Sequence, residues 1–287
     1  MNSVEIDSSR CSNCGACIDV CPGDVLEKGA EATEVVHPEL CITCGHCAAV
    51  CPGNVITSHP GNTRTPFTLQ DIPDGLPPEH KLFHQRMSTR KYKNQPLAEE
   101  TIQAIIQYGE LAPSSHNFRQ REYVVVTDKE KILEMEALVT KVYRPLAKLL
   151  NPVVLKLMGL FSKPAAEGLK ELSHSFKNLV KKQAEGEHPV FRDAPCVIFI
   201  AGPKDYDQAR DDCVAAQNYM MLFAQSLGIG SCIMGYAQYP HKKLARFLGI
   251  GKDKKLYTVT VLGHPKHKYK KRARFNDPMV TWKKAAG

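Results

Sequence analysis

CSNCGACIDVCP at residues 11–22 and CITCGHCAAVCP at residues 41–52 decide how the front of this chain folds. Each reads C-x2-C-x2-C-x3-C-P. The second repeats the first, pairing Cys11 with Cys41, Cys14 with Cys44, Cys17 with Cys47, Cys21 with Cys51 and Pro22 with Pro52. Of the 11 cysteines, only Cys196, Cys213 and Cys232 lie outside these runs. The opening MNSVEIDSSR is polar and lacks the apolar core of an export signal. Clustered thiols then point to metal in a reducing cytosol rather than to disulfides. Thiolate sulfur suits iron or zinc in a tetrahedral site. Three cysteines spaced two apart let one tight loop wrap a cube corner by corner, and the fourth sits too far along to close the same cube. A zinc site needs only CxxC pairs and leaves the third Cys and the Cys-Pro of each run unexplained.

The repeated run resembles that of bacterial-type ferredoxins, which hold two 4Fe–4S clusters. The resemblance implies crossed ligation. Cys11, Cys14, Cys17 and Cys51 hold one cube, and Cys41, Cys44, Cys47 and Cys21 hold the other. Residues 1–60 then form a small single-electron module, with a hairpin near Val25–Leu26 and Val35–Val36. A module of this size buries too little apolar surface to stand alone, so its clusters serve as its core.

At 287 residues the chain has room for roughly two domains. No apolar run reaches the roughly 18 residues that a membrane span needs, and a soluble, cytoplasmic protein is expected. The net charge of +8 hides an asymmetry. Residues 1–60 carry eight acids against Arg10 and Lys28, a net −6, which leaves +14 on the remainder. An acidic module beside a basic body favours electrostatic docking and an anionic cofactor. No nucleic-acid-binding pattern accompanies the excess Lys and Arg, so nucleic acid is not an expected partner. Residues 61–79, rich in Pro, Gly, Asp and Thr, read as a linker on the surface of the second domain.

From residue 80 to 287 the pattern is α+β. Leu97–Leu111 places Ile102, Ile105, Ile106 and Leu111 on one helical face. YVVVT at 123–127 reads as a strand, and Asp128 as the N-cap of the following helix. APCVIFIAG at 194–202 reads as a strand buried on both faces. Residues 208–228 form a helix that is apolar almost all round, at a centre or a subunit interface. Gly228–Gly235 reads as a loop and 256–263 as a third strand. Residues 135–190 read as a helical insertion with Lys141, Arg144, Lys148 and Lys156 along one face, which Pro152 must kink or break. A basic amphipathic helix can lie on a membrane; a cover packed on the core or on a second subunit is the plainer expectation.

RMSTRKY, APSSHN and GIGSCIMGY, in this order over about residues 80–275, resemble the nitroreductase family of FMN flavoproteins. With the front module, the whole chain is similar to its ferredoxin-fused branch. The resemblance implies an α+β fold and a homodimer with FMN at its interface. It implies that Arg86, Ser88 and Arg90 hold the phosphate and ribityl chain, as guanidinium forks suit a phosphate dianion. It places Pro113, Ser114, Ser115 and Asn117 against the flavin. The family's Gln two residues after that Asn is replaced here by Arg119, a cation placed near the pyrimidine edge or the substrate. It brings Ile233, Met234 and Gly235 to flavin N5, and Lys271 and Arg272 to the phosphate. No side-chain acid or base is assigned. Neither His116 nor His188 is a family catalytic residue, and Cys232 has no companion base. The implied reaction passes electrons from the clusters to FMN and on to an electron-poor small molecule, nitroaromatic-like or conjugated. An external ferredoxin or NAD(P)H is the implied donor. Two other functions stay open: an electron relay to a partner protein, and flavin-dependent chemistry on another substrate class.

Overall fold

The computed structural model describes residues 4–58, 67–71, 75–275 and 279–283. The chain divides into two compact units, residues 1–77 with 268–287, and residues 78–267. No helix among the described residues is long and apolar enough to cross a membrane.

The first unit is built by repetition. Strand β1 (Val4–Ile6) pairs antiparallel with β4 (Ile56–Ser58), and helices α1 (Ala16–Val20) and α2 (His46–Val50) are the equivalent turns of the two halves. Between them, β2 (Leu26–Lys28) and β3 (Thr33–Val35) form the expected hairpin. The halves match in backbone sign: Asn13 and Thr43, Gly15 and Gly45, and Asp24 and Asn54 are all left-handed. The core is a thin layer of Val4, Val25, Leu26, Ala48 and Ile56 shared with Cys17 and Cys51. So few aliphatic side chains cannot offset the chain's conformational entropy alone.

Two expectations change at the edge of this unit. Strand β5 (Phe67–Asp71), inside the stretch read as a linker, pairs antiparallel with a C-terminal strand, Lys271–Phe275. Lys271 lies opposite Asp71 and Arg272 opposite Gln70. The Lys270 N–H donates to the Ala49 carbonyl at 2.9 Å, and the Tyr269 ring meets His46 edge-on at 5.2 Å. The last twenty residues thus belong with the cluster module, and the second unit ends at His267. Each strand satisfies the other's backbone groups, a requirement that local composition does not reveal. The rest of the expected linker, residues 61–66 and 72–74, lies outside the described residues.

The second unit is a four-stranded antiparallel sheet, ordered β6 (Glu122–Val126), β7 (Cys196–Pro203), β9 (Lys254–Gly263) and β8 (Gly230–Ile233). Helices α3 (Pro78–Gln85) and α4 (Glu99–Glu110) precede β6, and α5 (Lys129–Leu149), α6 (Pro152–Phe161) and α7 (Lys163–Ala184) separate β6 from β7. Helix α8 (Ala209–Ser226) joins β7 to β8, and α9 (Gly235–Gln238) and α10 (His241–Phe247) join β8 to β9. The period of two explains why β7 is apolar at nearly every position. Val197, Phe199 and Ala201 face a core completed by Met135, Val139 and Leu244, while Cys196, Ile198 and Ile200 face one completed by Ile105, Ala216 and Met220. Double burial arises here in an antiparallel sheet, because helices cover both faces. Residues 230–233, read as a loop, are strand β8, pairing with β9 from Gly230 opposite Gly263 to Ile233 opposite Thr260.

The insertion is three helices. Asp128 caps α5 as expected, accepting from the N–H groups of Glu130 and Lys131. Pro152 starts α6 as its first residue, where a missing N–H costs nothing, and Asn151 caps it through Oδ1. Helix α5 packs on the core through Ile132, Met135, Val139 and Tyr143, whereas α6 leaves Val153 and Leu160 exposed. One charge intrudes. Glu136 lies on the buried face of α5, and its two carboxylate oxygens accept from the Val190 and Phe191 N–H groups, each at 2.8 Å. Burial pushes its pKa up from 4.5 to about 7 against those two hydrogen bonds.

Helices α4 and α8 approach most closely at Gly109, where an added Cβ would stand 2.6 Å from the Met220 Cγ. Gly109→Leu is expected to lower stability by about 1–3 kcal/mol through overpacking, whereas Gly168→Ala, in α7 with open space around it, raises it by about 0.5–1 kcal/mol. Thermal unfolding of the two full-length variants checks the contrast. Because the folded state holds the Glu136 proton more tightly than the unfolded chain, this group's contribution to stability falls as pH rises from 4.5 to about 7. The advantage of wild type over Glu136→Gln should shrink by up to about 3 kcal/mol across that window; a constant difference would show that Glu136 does not titrate there.

Candidate functional site

In the first unit, folding gathers the eight thiols into two sets that mix the halves of the sequence. Cys21, Cys41, Cys44 and Cys47 line one cavity, and Cys11, Cys14, Cys17 and Cys51 line another. The resemblance to ferredoxins implies the same two groupings as cluster ligands. Charge coupling repeats the grouping, since Cys47 senses Cys44, Cys21 and Cys41. Burial pushes the Cys47, Cys21 and Cys17 thiols above their ordinary range. Backbone N–H groups of Thr33 and Asn13 hold Cys11 below it. The Thr43 N–H also donates to the Cys41 sulfur at 3.4 Å. Backbone donors to sulfur are the protein's means of setting a cluster's potential. Among the described residues, no three His, Cys, Asp or Glu side chains converge on one point to hold a single ion. A zinc site needs thiolates about 2.3 Å from a common centre, whereas a cube spreads its ligands around a cavity. The donor set fits cubes.

In the second unit, residues 86–92 run out of α3, meeting β8 at Ser88 and Thr89 and Pro265 at Tyr92. The Thr89 N–H donates to the Ser231 carbonyl at 2.9 Å, and Ser88 bridges Ser231 in parallel register. In extended backbone alternate side chains face opposite ways. Met87 and Thr89 are buried, which leaves Ser88 and Arg90 on the other side, each half-buried, while the equally half-buried Arg86 closes α3 with its N–H on the Leu82 carbonyl. Gly230 permits this contact, as its Cβ would fall 2.7 Å from the Thr89 Cβ. At the far end of β8, Ile233 is exposed, Met234 is buried with its N–H donating to the Val259 carbonyl, and Gly235 opens α9. The structure therefore joins Arg86, Ser88 and Arg90 to Ile233, Met234 and Gly235 through one strand. Cys232 is buried in that strand with its thiol on the Ile233 carbonyl, which suits packing rather than nucleophilic attack.

The loop Pro113–Arg119 is braced onto α4 and α8. The Ser115 N–H donates to Asp212 at 2.9 Å. Arg119 folds back on its own loop: its Nε donates to the Asn117 Oδ1 at 2.8 Å, an outer nitrogen to the Glu110 carbonyl at 3.1 Å, and its N–H to the Ser114 Oγ. His116, Asn117 and Arg119 are all left-handed, with φ of 49°, 56° and 50°. His116 is exposed and pairs with Ser115, and His188 lies 3.8 Å from Asp193. Lys271 and Arg272, expected at a phosphate of the second domain, are in the first unit, on the strand that pairs with β5.

Sequence reasoning passed over the polar network beneath the loop. The Arg121 side chain is buried, ion-paired with Glu110 at 3.1 Å, and donates to the Ala112 carbonyl. The Tyr123 hydroxyl donates to the same Glu110 carboxylate at 2.6 Å, and burial raises its pKa. It also passed over Glu136 and Arg192. Only Glu136 carried a signal, since its spacing from Ile132 and Val139 puts an acid on an apolar helical face.

Comparison with known proteins agrees with this geometry. Residues 84–264 match the nitroreductase family, and residues 3–52 match the 4Fe-4S dicluster domain. A provisionally named NADH dehydrogenase/NAD(P)H nitroreductase of Archaeoglobus fulgidus is 25% identical over 211 residues, spanning 70% of this chain and 94% of the relative. Among solved structures, a nitroreductase with bound FMN from Desulfitobacterium hafniense aligns with a TM-score of 0.51 at 23% identity, covering 73% of this chain and 100% of that one. A nitroreductase with bound FMN from Bacteroides fragilis aligns at 0.50 and 18% identity, covering 74% and 96%. With the family match spanning more than half of its length, and two crossed thiol quartets in front, the chain belongs to the nitroreductase family of flavin oxidoreductases and carries an N-terminal 4Fe-4S dicluster domain.

Proposed function

We propose that this protein takes up electrons singly at two 4Fe–4S clusters and passes them through FMN to an electron-poor small molecule, conjugated or nitroaromatic in kind. The observation that carries this reading is the pairing, on one chain, of two crossed thiol quartets with a nitroreductase unit. When bound, FMN supplies the step from one-electron to two-electron chemistry. The chain's own residues bind and orient it. Arg86 at the end of α3, with Ser88 and Arg90 on one side of the extended segment that follows, suits the phosphate and the ribityl hydroxyls. Since the Met234 N–H is taken by Val259, the Gly235 N–H is the donor we assign to flavin N5. Pro113, Ser114, Ser115 and Asn117 form the loop assigned to the flavin face, and we read Arg119 as the brace that holds this loop. Lys271 and Arg272 are left with a role in the first unit's strand pairing. An external ferredoxin or NAD(P)H is the electron donor we assign.

A second copy of the chain is the partner we assign to helices α4 and α8. Tyr108 and Phe223 stack with ring centroids 3.5 Å apart, and beside them Leu111, Tyr219 and Leu227 are 64%, 44% and 47% exposed. An apolar, aromatic patch of this kind is typical of a homodimer interface.

Anaerobically purified protein should contain about eight Fe and one FMN per chain; zinc in place of iron, or no flavin, sinks the reading. Dithionite-reduced protein should be reoxidised by a nitro compound or a quinone, and failure with every such acceptor would favour a relay to a partner protein. Gly230→Ala, which forces the 86–90 segment off β8, and Arg86→Ala should each cost roughly tenfold or more in FMN affinity while the iron content stays unchanged.

A further inference from the structure

The two thiol quartets occupy matching places in a duplicated unit, yet their surroundings differ. Strands β2 and β4 are thirty residues apart, as the cysteine runs are, so Leu26 matches Ile56. Each strand has one antiparallel partner. Leu26 lies opposite Val35 and Lys28 opposite Thr33, while Ile56 lies opposite Ile6 and Ser58 opposite Val4. This register makes Thr33 and Val4 counterparts. Both are buried. Thr33 lines the cavity of Cys11, Cys14, Cys17 and Cys51, and Val4 lines that of Cys21, Cys41, Cys44 and Cys47.

Thr and Val have nearly the same shape, and a hydroxyl replaces one methyl group. The Thr33 Oγ1 stands 3.7 Å from the Cys17 sulfur. A free thiol would be the donor along this line. A cysteine that ligates iron has lost its proton, so the Thr33 hydroxyl becomes the donor. The Thr33 N–H serves the same quartet at Cys11. Val4 has only methyl groups to present to its cavity. The neighbouring positions lean the same way, since Arg10 and Ser12 in the first cavity match Leu40 and Ile42 in the second. The Arg10 side chain is 65% exposed, so solvent screens it, and the buried hydroxyl accounts for more of the contrast. One exchange runs the other way, Ala16 against His46, and Tyr269 meets the His46 ring edge-on. A cube gains negative charge when it accepts an electron. Donors on its sulfurs favour that state, and an apolar lining opposes it.

We propose that Thr33 makes the two cluster sites unequal: its hydroxyl, donating to the Cys17 sulfur, sets the site of Cys11, Cys14, Cys17 and Cys51 at a higher reduction potential than its Val4-lined counterpart. The first electron taken up therefore settles at the Thr33 site. Each site accepts one electron and no proton, and the donor, such as the external ferredoxin assigned above, is oxidised by one electron in turn. The inference rests on ligation of 4Fe–4S clusters by the two quartets, and Thr33 acts as a positioning residue that touches a ligand.

Full-length protein holding its iron is titrated anaerobically with dithionite in the presence of mediator dyes, and the reduced-cluster EPR signal is followed against potential. Wild type should show two separate steps. Thr33→Val, which keeps the shape and suits a strand, should lower the upper step and leave the lower one in place. The equilibrium constant for electron exchange between the sites should fall roughly threefold to tenfold, a narrowing of about 30–60 mV at 59 mV per tenfold. Thr33→Ser keeps the hydroxyl and should restore the wild-type separation. Coincident steps in wild type, a Thr33→Val variant whose upper step does not move, or one whose lower step moves instead would each overturn the proposal. A Thr33→Ser variant that shifts as far as Thr33→Val would overturn it too, by assigning the effect to packing. Should Thr33→Val not hold its iron, Val4→Thr carries the test: it should raise the lower step alone, and an unmoved lower step overturns the proposal. If wild-type protein itself holds no 4Fe–4S clusters, the cluster reading fails; if it holds them and the variants match it, only the Thr33 assignment fails.

Discussion

A single backbone hydrogen bond organises the second unit's candidate site: the Thr89 N–H donates to the Ser231 carbonyl at 2.9 Å. It docks the segment leaving α3 against the edge strand β8. The alternation of extended chain then settles the rest. With Met87 and Thr89 turned inward, Ser88 and Arg90 share the other side. The same strand leads directly to Met234 and Gly235. Two motifs separated by about 140 residues of sequence become neighbours because Gly230 leaves no Cβ between them. The geometry is a packing constraint before it is a binding site.

At a few places the second unit departs from ordinary stability rules. Glu136 is an acid on an apolar face, the Arg192 Nε is buried without a hydrogen-bond partner, and left-handed residues cluster at 116–119 and 192–193. Each costs free energy in the protein alone. Elsewhere the unit follows the rules closely: β7 is buried on both faces, and caps are where Asp128 and Asn151 place them.

The first unit solves a different problem. Its apolar core is thin, so it is a frame that iron ligation completes. The unit also recruits the end of the chain. Pairing of β5 with Lys271–Phe275 gives two otherwise unpaired edges their hydrogen bonds and brings Tyr269 to His46. The chain leaves the cluster module once and returns to it, so the nitroreductase unit is inserted between its two parts.

The eight cysteines, their spacing and their duplication marked a 4Fe–4S dicluster module from sequence alone, because so regular a repeat of thiolate ligands has few other uses. The short-range code also determined the hairpin at 26–35, the Asp128 cap, the double burial of β7 and the order of the nitroreductase motifs. Only the tertiary structure decided that Gly230–Ile233 is a strand, that the tail from Lys268 belongs to the cluster module, and that Arg119 closes on its own loop. Arg192 and Glu136 were decided there too. Strand pairing across hundreds of residues and the partner of a buried charge depend on which surfaces meet, and no local pattern of residues encodes that.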